Sequence, residues 1–161
     1  MPSNVLIAYG SNGQSITVTL ASLADGSARA STALDNSSDT FIDVLVSLSL
    51  KTGASGVSSA GYVNVYAYGS VDGGTTYTET ASGTDAALTL TVPTNLKLVG
   101  RISAVANATT YKSGPFSVAG AFGGSLPEFW GIVIENKTGA GLDSTEGNHS
   151  KKYQGVYSQV N

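Results

Sequence analysis

The sequence predicts an all-β chain: an antiparallel β-sandwich of about ten strands, jelly-roll-like in its path, with no long helix. Three observations carry this. Residues 40–51, TFIDVLVSLSLK, place Ile42, Val44, Val46, Leu48 and Leu50 on one parity. Side chains alternate faces along a strand, so this set lines one aliphatic face, whereas a helix would scatter it. Short alternating runs recur along the chain between clusters of Gly, Asn, Asp and Ser, the residues of tight turns. Finally, no ten-residue window keeps a 3.6-residue apolar period, and only 12% of residues are charged, about half the usual share.

The elements follow in order. Residues 4–9 read as a first strand, closed by the turn Gly10-Ser11-Asn12-Gly13. Residues 15–20 alternate Ile16, Val18 and Leu20 against Thr17 and Thr19, which predicts a half-buried strand. A weaker strand over 27–34, placed at an edge, precedes a loop at 35–39 and the long strand at 40–51. Residues 52–61, TGASGVSSAG, read as a flexible loop. Residues 62–68 alternate Val63, Val65 and Ala67 against Tyr62, Asn64, Tyr66 and Tyr68. The turn Asp72-Gly73-Gly74 leads to a strand at 75–80, and another at 87–92 stops at Pro93. A second long strand covers 95–106, with Leu96, Leu98 and Ile102 assigned to one face. Residues 116–119 follow Gly114-Pro115, and 121–128 form a Gly-rich bend. Residues 129–135 carry Trp130, Ile132 and Ile134 on one side. A polar loop at 136–148 and a final strand at 151–160 complete a single domain, 1–161.

A chain of 161 residues can bury roughly 68–70% of its unfolded surface, so it needs no staple. It has no cysteine, which removes disulfides, thiolate metal sites and a cysteine nucleophile. The net charge of −3 is uneven. Residues 1–96 hold two basic residues against seven acids, and residues 97–161 hold six against four. No basic stripe suggests nucleic-acid binding. Met1-Pro2-Ser3-Asn4 lacks the basic start of a signal peptide, and the apolar run at 5–9 is too short for a membrane span. The chain is expected to stay where it is made unless it is assembled into something.

Ser70-Val71-Asp72-Gly73-Gly74-Thr75-Thr76-Tyr77 resembles the Asp-box hairpin, S-x-D-x-G-x-T-W, matching at Ser70, Asp72, Gly74 and Thr76, with Tyr77 in the Trp position. That motif is structural: the carboxylate accepts turn N–H groups and glycine supplies positive φ. Asp143, Glu146 and His149 form an acid–acid–His cluster that reads either as a metal or acid–base site or as a solvated polar loop, and the single imidazole favours the loop. Asp35, Asp39 and Asp43 lack the spacing and glycine of a calcium loop. Neither a G-x-S-x-G elbow nor a phosphate loop is present. No catalytic, cofactor-binding or metal-binding residue is assigned, and the chain is expected not to be an enzyme. The candidate contact residues are aromatic: the stripe Tyr62, Tyr66 and Tyr68, then Phe122, Phe129 and Trp130 in and beside the bend. The loop at 53–61 and the two termini join them.

The DGGTTY turn, Tyr111-Lys112-Ser113-Gly114-Pro115-Phe116, and PEFWGIVIENKTGAGLD at 127–143 resemble small virion structural proteins of tailed bacteriophages. The resemblance implies a β-sandwich or jelly roll present in many copies on the particle. Within that class it implies a capsid decoration, or cement, protein. Such a protein is made in the host cytoplasm, binds the outer face of the major capsid protein lattice and associates with copies of itself, often as a trimer. It involves no cofactor, nucleic acid or membrane. A tail or baseplate component and a carbohydrate- or receptor-binding module are the alternatives.

Overall fold

The computed structural model describes residues 4–160. Eleven strands appear in chain order: β1 (Val5–Tyr9), β2 (Gln14–Ser15), β3 (Ala28–Ala30), β4 (Leu34–Asp35), β5 (Asp43–Lys51), β6 (Tyr62–Ser70), β7 (Ala86–Leu88), β8 (Lys97–Ser103), β9 (Thr110–Ser117), β10 (Phe129–Lys137) and β11 (Ser150–Val160). Two 3-10 turns stand at Ala119–Phe122 and Glu146–Asn148.

One sheet has the order β1-β11-β5-β9, with β2 also on β11. The other has the order β7-β3-β10-β6-β8, with β4 also on β10. Every pairing is antiparallel. Without the short β2, β4 and β7, the chain visits the sheets as β1, then β3, β5, β6, β8, β9, β10 and β11. First and last strands lie side by side in one sheet, second and penultimate in the other. That is the jelly-roll path of two sheets wound together.

The predicted parities explain the interior. Val44, Val46, Leu48 and Leu50 of β5 face Val63, Val65 and Ala67 of β6 and Trp130, Ile132 and Ile134 of β10 in one cluster between the sheets. β5 and β10 lie inside their sheets, which suits their aliphatic runs. A smaller cluster covers the outer face of the second sheet: Tyr66, Tyr68 and Val133 lie under Leu88 and Leu96, contributed by the 71–96 excursion.

Several expectations need correction. Ile42 lies outside β5 and is exposed, so the aliphatic face begins at Val44. Residues 16–20 keep their alternation but leave the ladder after Ser15: Ile16 donates to the Lys151 carbonyl in one sheet, and Thr17 accepts from Thr32 beside the other. This is a crossover, and its amides are taken by distant carboxylates. Asp85 accepts from Thr19 N, and Glu146 Oε2 accepts from Leu20 N and Ala21 N at 2.7 Å each. β3 is not an edge, because β7 covers it. Residues 75–80 form no strand, and Val92 is exposed beyond the end of β7. Residues 52–61 are hydrogen-bonded along their length, through Gly53 N to Gly141 O, Val57 N to Asn107 Oδ1 and Ser58 N to Thr138 O.

Leu96, Leu98 and Ile102 do not share a face. A bulge between Val65 and Tyr66 inserts Val99, so Ile102 points into the inter-sheet core while Leu96 and Leu98 lie outside. One extra residue inverts a period of two. The 136–148 segment is not a plain solvated loop either. β10 continues to Lys137, and Asn136, Thr138 and Leu142 are buried.

Candidate functional site: the outer face of the second sheet and the open edges

Register places Arg101, Asn64 and Glu135 in one row across β8, β6 and β10. All three point away from the inter-sheet core, by the parity that sends Val63, Val65 and Ile134 inward. The row is joined side chain to side chain. Arg101 Nε donates to Asn64 Oδ1 at 2.9 Å, and Asn64 Nδ2 donates to Glu135 Oε2 at 2.8 Å. Tyr66 donates its hydroxyl to the same carboxylate oxygen at 2.9 Å, and Lys137 Nζ lies 3.2 Å from Oε1. Arg101 also stands over the Tyr62 ring, 4.2 Å from its centroid.

Glu135 is buried. Burial by itself raises a carboxyl group's pKa, but the bonds from Asn64, Tyr66 and Lys137 outweigh it and hold Glu135 below its ordinary value. Tyr66, Glu135 and Lys137 of this network line a cleft of about 540 Å³ whose walls include Ser27, Leu88, Thr91 and Pro93. Glu135 is the one acid lining it, among the described residues. Both carboxylate oxygens already have partners, so the arrangement suits holding the strands together. It offers no poised proton acceptor.

Each aromatic candidate has a definite place. Tyr68 is fully buried: its hydroxyl donates to the Ser31 carbonyl at 2.6 Å, and its ring occupies the space a Cβ at Gly131 would fill, within 2.3 Å. Tyr66 is also buried, and Trp130 lies in the inter-sheet core edge-on to Tyr153, with 5.4 Å between centroids. A partner cannot touch Tyr68 or Trp130, and it reaches little of Tyr66. The expectation of contact is corrected for Tyr66 and Tyr68 of the stripe and for Trp130 of the bend, because their strands are covered on both faces. Tyr62, Phe122 and Phe129 are half-buried. Phe122 packs against Gly69, and Phe129 packs against Gly74.

Burial raises the Tyr66 phenol to about 12, helped by Glu135, and raises Tyr68 to about 12 as well. The unfolded chain would ionise both near 10. Their contribution to stability is therefore complete below pH 10 and is lost as pH rises through 12. In a tyrosinate absorbance titration, these two of the eight tyrosines should ionise together with alkaline unfolding. Ionisation of all eight near pH 10 with the fold intact would count against this packing.

The Asp-box-like segment forms its local turn. Ser70 Oγ donates to Asp72 Oδ1 at 2.6 Å and accepts from Gly74 N, while Asp72 Oδ1 accepts from Thr76 N at 2.9 Å. Gly74 has φ of 78°, and Tyr77 meets the Tyr68 ring edge-on. The Ser70 and Thr76 bonds depress the Asp72 carboxyl to about 2. Because no strand follows, the motif closes the end of β6 rather than a hairpin.

Asp143, Glu146 and His149 are divided among structural tasks. Asp143 pairs with Lys51 at 3.0 Å and accepts from Thr145 N and Asn148 Nδ2. Those bonds, from Asn148 first, hold its carboxyl far below the usual range. Glu146 clamps the 20–21 crossover and pairs with Lys151. His149 is buried, its Nδ1 accepting from Lys51 N and its Nε2 placed 3.0 Å from the Asp143 carbonyl. Asp35 accepts from Ser37 N, and Asp43 accepts from Ser117 Oγ, Val118 N and Ala119 N at the start of the first 3-10 turn. No group of three His, Asp or Glu side chains is placed to hold a metal ion, among the described residues.

Among the described residues, the two main sheet paths end on β1, β9, β7 and β8. β9 carries Lys112, Pro115 and a bulge opposite Val46–Leu48, and β8 carries Lys97, Arg101 and its own bulge. β7 is three residues long. These features discourage pairing with another chain. β1 has none of them. It is five residues, VLIAY, and the first charged residue of the chain is Asp25. β5 pairs with β11 only as far as Val156, so β1 and the end of β11 run on as a two-stranded ribbon past the sheet. Val5, Leu6, Ile7 and Tyr9 are exposed, on both of its faces. Sequence reasoning named the termini as contact elements, but not that this edge lacks protection.

No family model, curated protein or solved structure matches this chain. The resemblance to virion proteins rests on the sequence segments themselves.

Proposed function

We propose that this chain is a structural protein of a tailed-bacteriophage virion, a capsid decoration protein that binds the outer face of the major capsid lattice and stabilises it. The observation that supports this reading best is the contrast between its interior and one edge. Polar clusters that could have served chemistry are absorbed by the fold itself, while the β1–β11 ribbon leaves apolar side chains and unpaired main chain in water. A surface of that kind favours a protein partner over a small substrate. A jelly-roll sandwich with an apolar core suits a part that bears load through broad contacts.

The carbohydrate-binding alternative loses two of its three tyrosine stacking platforms, since Tyr66 and Tyr68 are buried. Head and tail are separated by labelling this chain on intact particles. Signal spread over the whole head is the expected result. One focal spot at the tail would shift the reading to a tail component, and particles lacking the chain would end it.

A further inference from the structure

We infer that β1 of one copy pairs antiparallel with β1 of a second copy, the partner's Ile7 opposite Ile7, joining the two β1–β11 sheets edge to edge.

The occupant is narrowed first by chemistry. A row of unpaired backbone N–H and C=O groups selects another strand. A charge-free, apolar edge selects a strand that brings no unpaired charge against it. Within this chain, β7 is too short, while β8 and β9 present lysine or arginine and a bulge. The far edge of the β11 tail is open too, but it would set Ser158 and Gln159 against Leu6 and Ile7. β1 is its own best complement. Centred on Ile7, the pairing sets Val5 against the partner's Tyr9 on one face and Leu6 against the partner's Ala8 on the other, apolar against apolar throughout. This contact is isologous and closes at two copies. It sets a two-fold against the three-fold that the resemblance implies.

The ribbon explains why a partner is needed. Two strands alone in water are marginal, and Ile7 is 60% exposed on a strand with a partner on one side only. A five-residue strand pair buries less than the roughly 1,200 Å² of a standard stable interface. The dimer is therefore expected to form reversibly with concentration.

The test uses the purified full chain and needs no phage particle, so it can fail while the virion reading stands. Light scattering over a concentration series should show the mass climbing from 16.3 kDa towards twice that value. Ile7→Lys sets two ammonium groups face to face at the two-fold and should weaken association at least ~10-fold, since 1.4 kcal/mol is a factor of ten. Directly opposed antiparallel residues have Cα atoms about 4.5–5.5 Å apart, within disulfide reach. The chain has no cysteine, so Ile7→Cys under a mild oxidant should give one cross-linked dimer. Val92→Cys, 99% exposed and away from the ribbon, should not. If Ile7→Lys misfolds, the Ile7→Cys cross-link decides alone. A mass fixed at the monomer, equal cross-linking of the two cysteine variants, or a larger oligomer indifferent to Ile7→Lys would each overturn the pairing.

Discussion

Trp130→Ala should lower the free energy of unfolding by about 3–5 kcal/mol, the cost of cutting a buried aromatic down to a methyl group. Trp130 is 1% exposed at the start of β10, on the parity that carries Ile132 and Ile134 into the inter-sheet core. Its ring meets Tyr153 of β11 edge-on, so it bridges the two sheets. Strands on either side hold the site open: Gly69 of β6 and Leu34 of β4 pair with it. A cavity there cannot collapse easily, which argues for the upper half of the range. A domain's whole stability is about 5–15 kcal/mol, so the variant should unfold at clearly lower urea. The measurement is urea unfolding followed by far-ultraviolet circular dichroism, because Trp130 is the only tryptophan and fluorescence is lost with it. A loss under about 1 kcal/mol would mean the ring is not in the core.

Asn136→Ala should cost about 3 kcal/mol, although it removes only a small polar group. Asn136 continues the inward parity of Trp130, Ile132 and Ile134 and is fully buried. Its Nδ2 donates to Leu23 O at 2.8 Å and to Ala140 O at 2.7 Å, and its Oδ1 accepts from Thr138 N at 3.0 Å. After truncation, Leu23 O keeps its bond from Leu142 N, and Ala140 O keeps its bond from Thr138 Oγ1. The buried Thr138 N–H is left with no side-chain acceptor. An orphaned buried donor costs about 1–3 kcal/mol, and each lost bond adds about 1. Asn136→Asp separates hydrogen bonding from shape. It conserves volume but turns acceptor oxygens towards two carbonyls, so it should destabilise at least as much as alanine. If the aspartate variant unfolds like the wild type, the side chain is not bonded as described.

Parity made most of the fold legible. In 44–50, 63–67 and 130–134 the apolar residues recur every second position, and each of those runs lines the core. Asn136 could have been found in the same way, because it extends the even-numbered series of β10, but a polar side chain after Glu135 read as the start of a loop. Parity failed at Leu98, where the inserted Val99 shifts the register; Gly100 beside it was the sequence signal of a bulge, and the alternation was carried through it. It also overestimated 15–20 as a strand. Alternation reports which side chains are buried, and that was right for Ile16, Val18 and Leu20, but backbone pairing depends on what lies beside the segment. The aromatic candidates failed for a related reason. Tyr66 and Tyr68 do stand on the face opposite Val65, yet the 71–96 excursion that follows their strand folds back over that face.

By itself the sequence determined the class of fold, the long central strands, their inward faces and the absence of any recognisable catalytic motif, because these depend on local alternation and residue type. Tertiary structure alone decided the jelly-roll order, which tyrosines are covered, which carboxylates bind crossover amides, and that β1 has an open side. Those are properties of neighbours brought together from separate segments, as Glu146 is to Leu20 across more than a hundred residues, and no local pattern encodes which segments will meet.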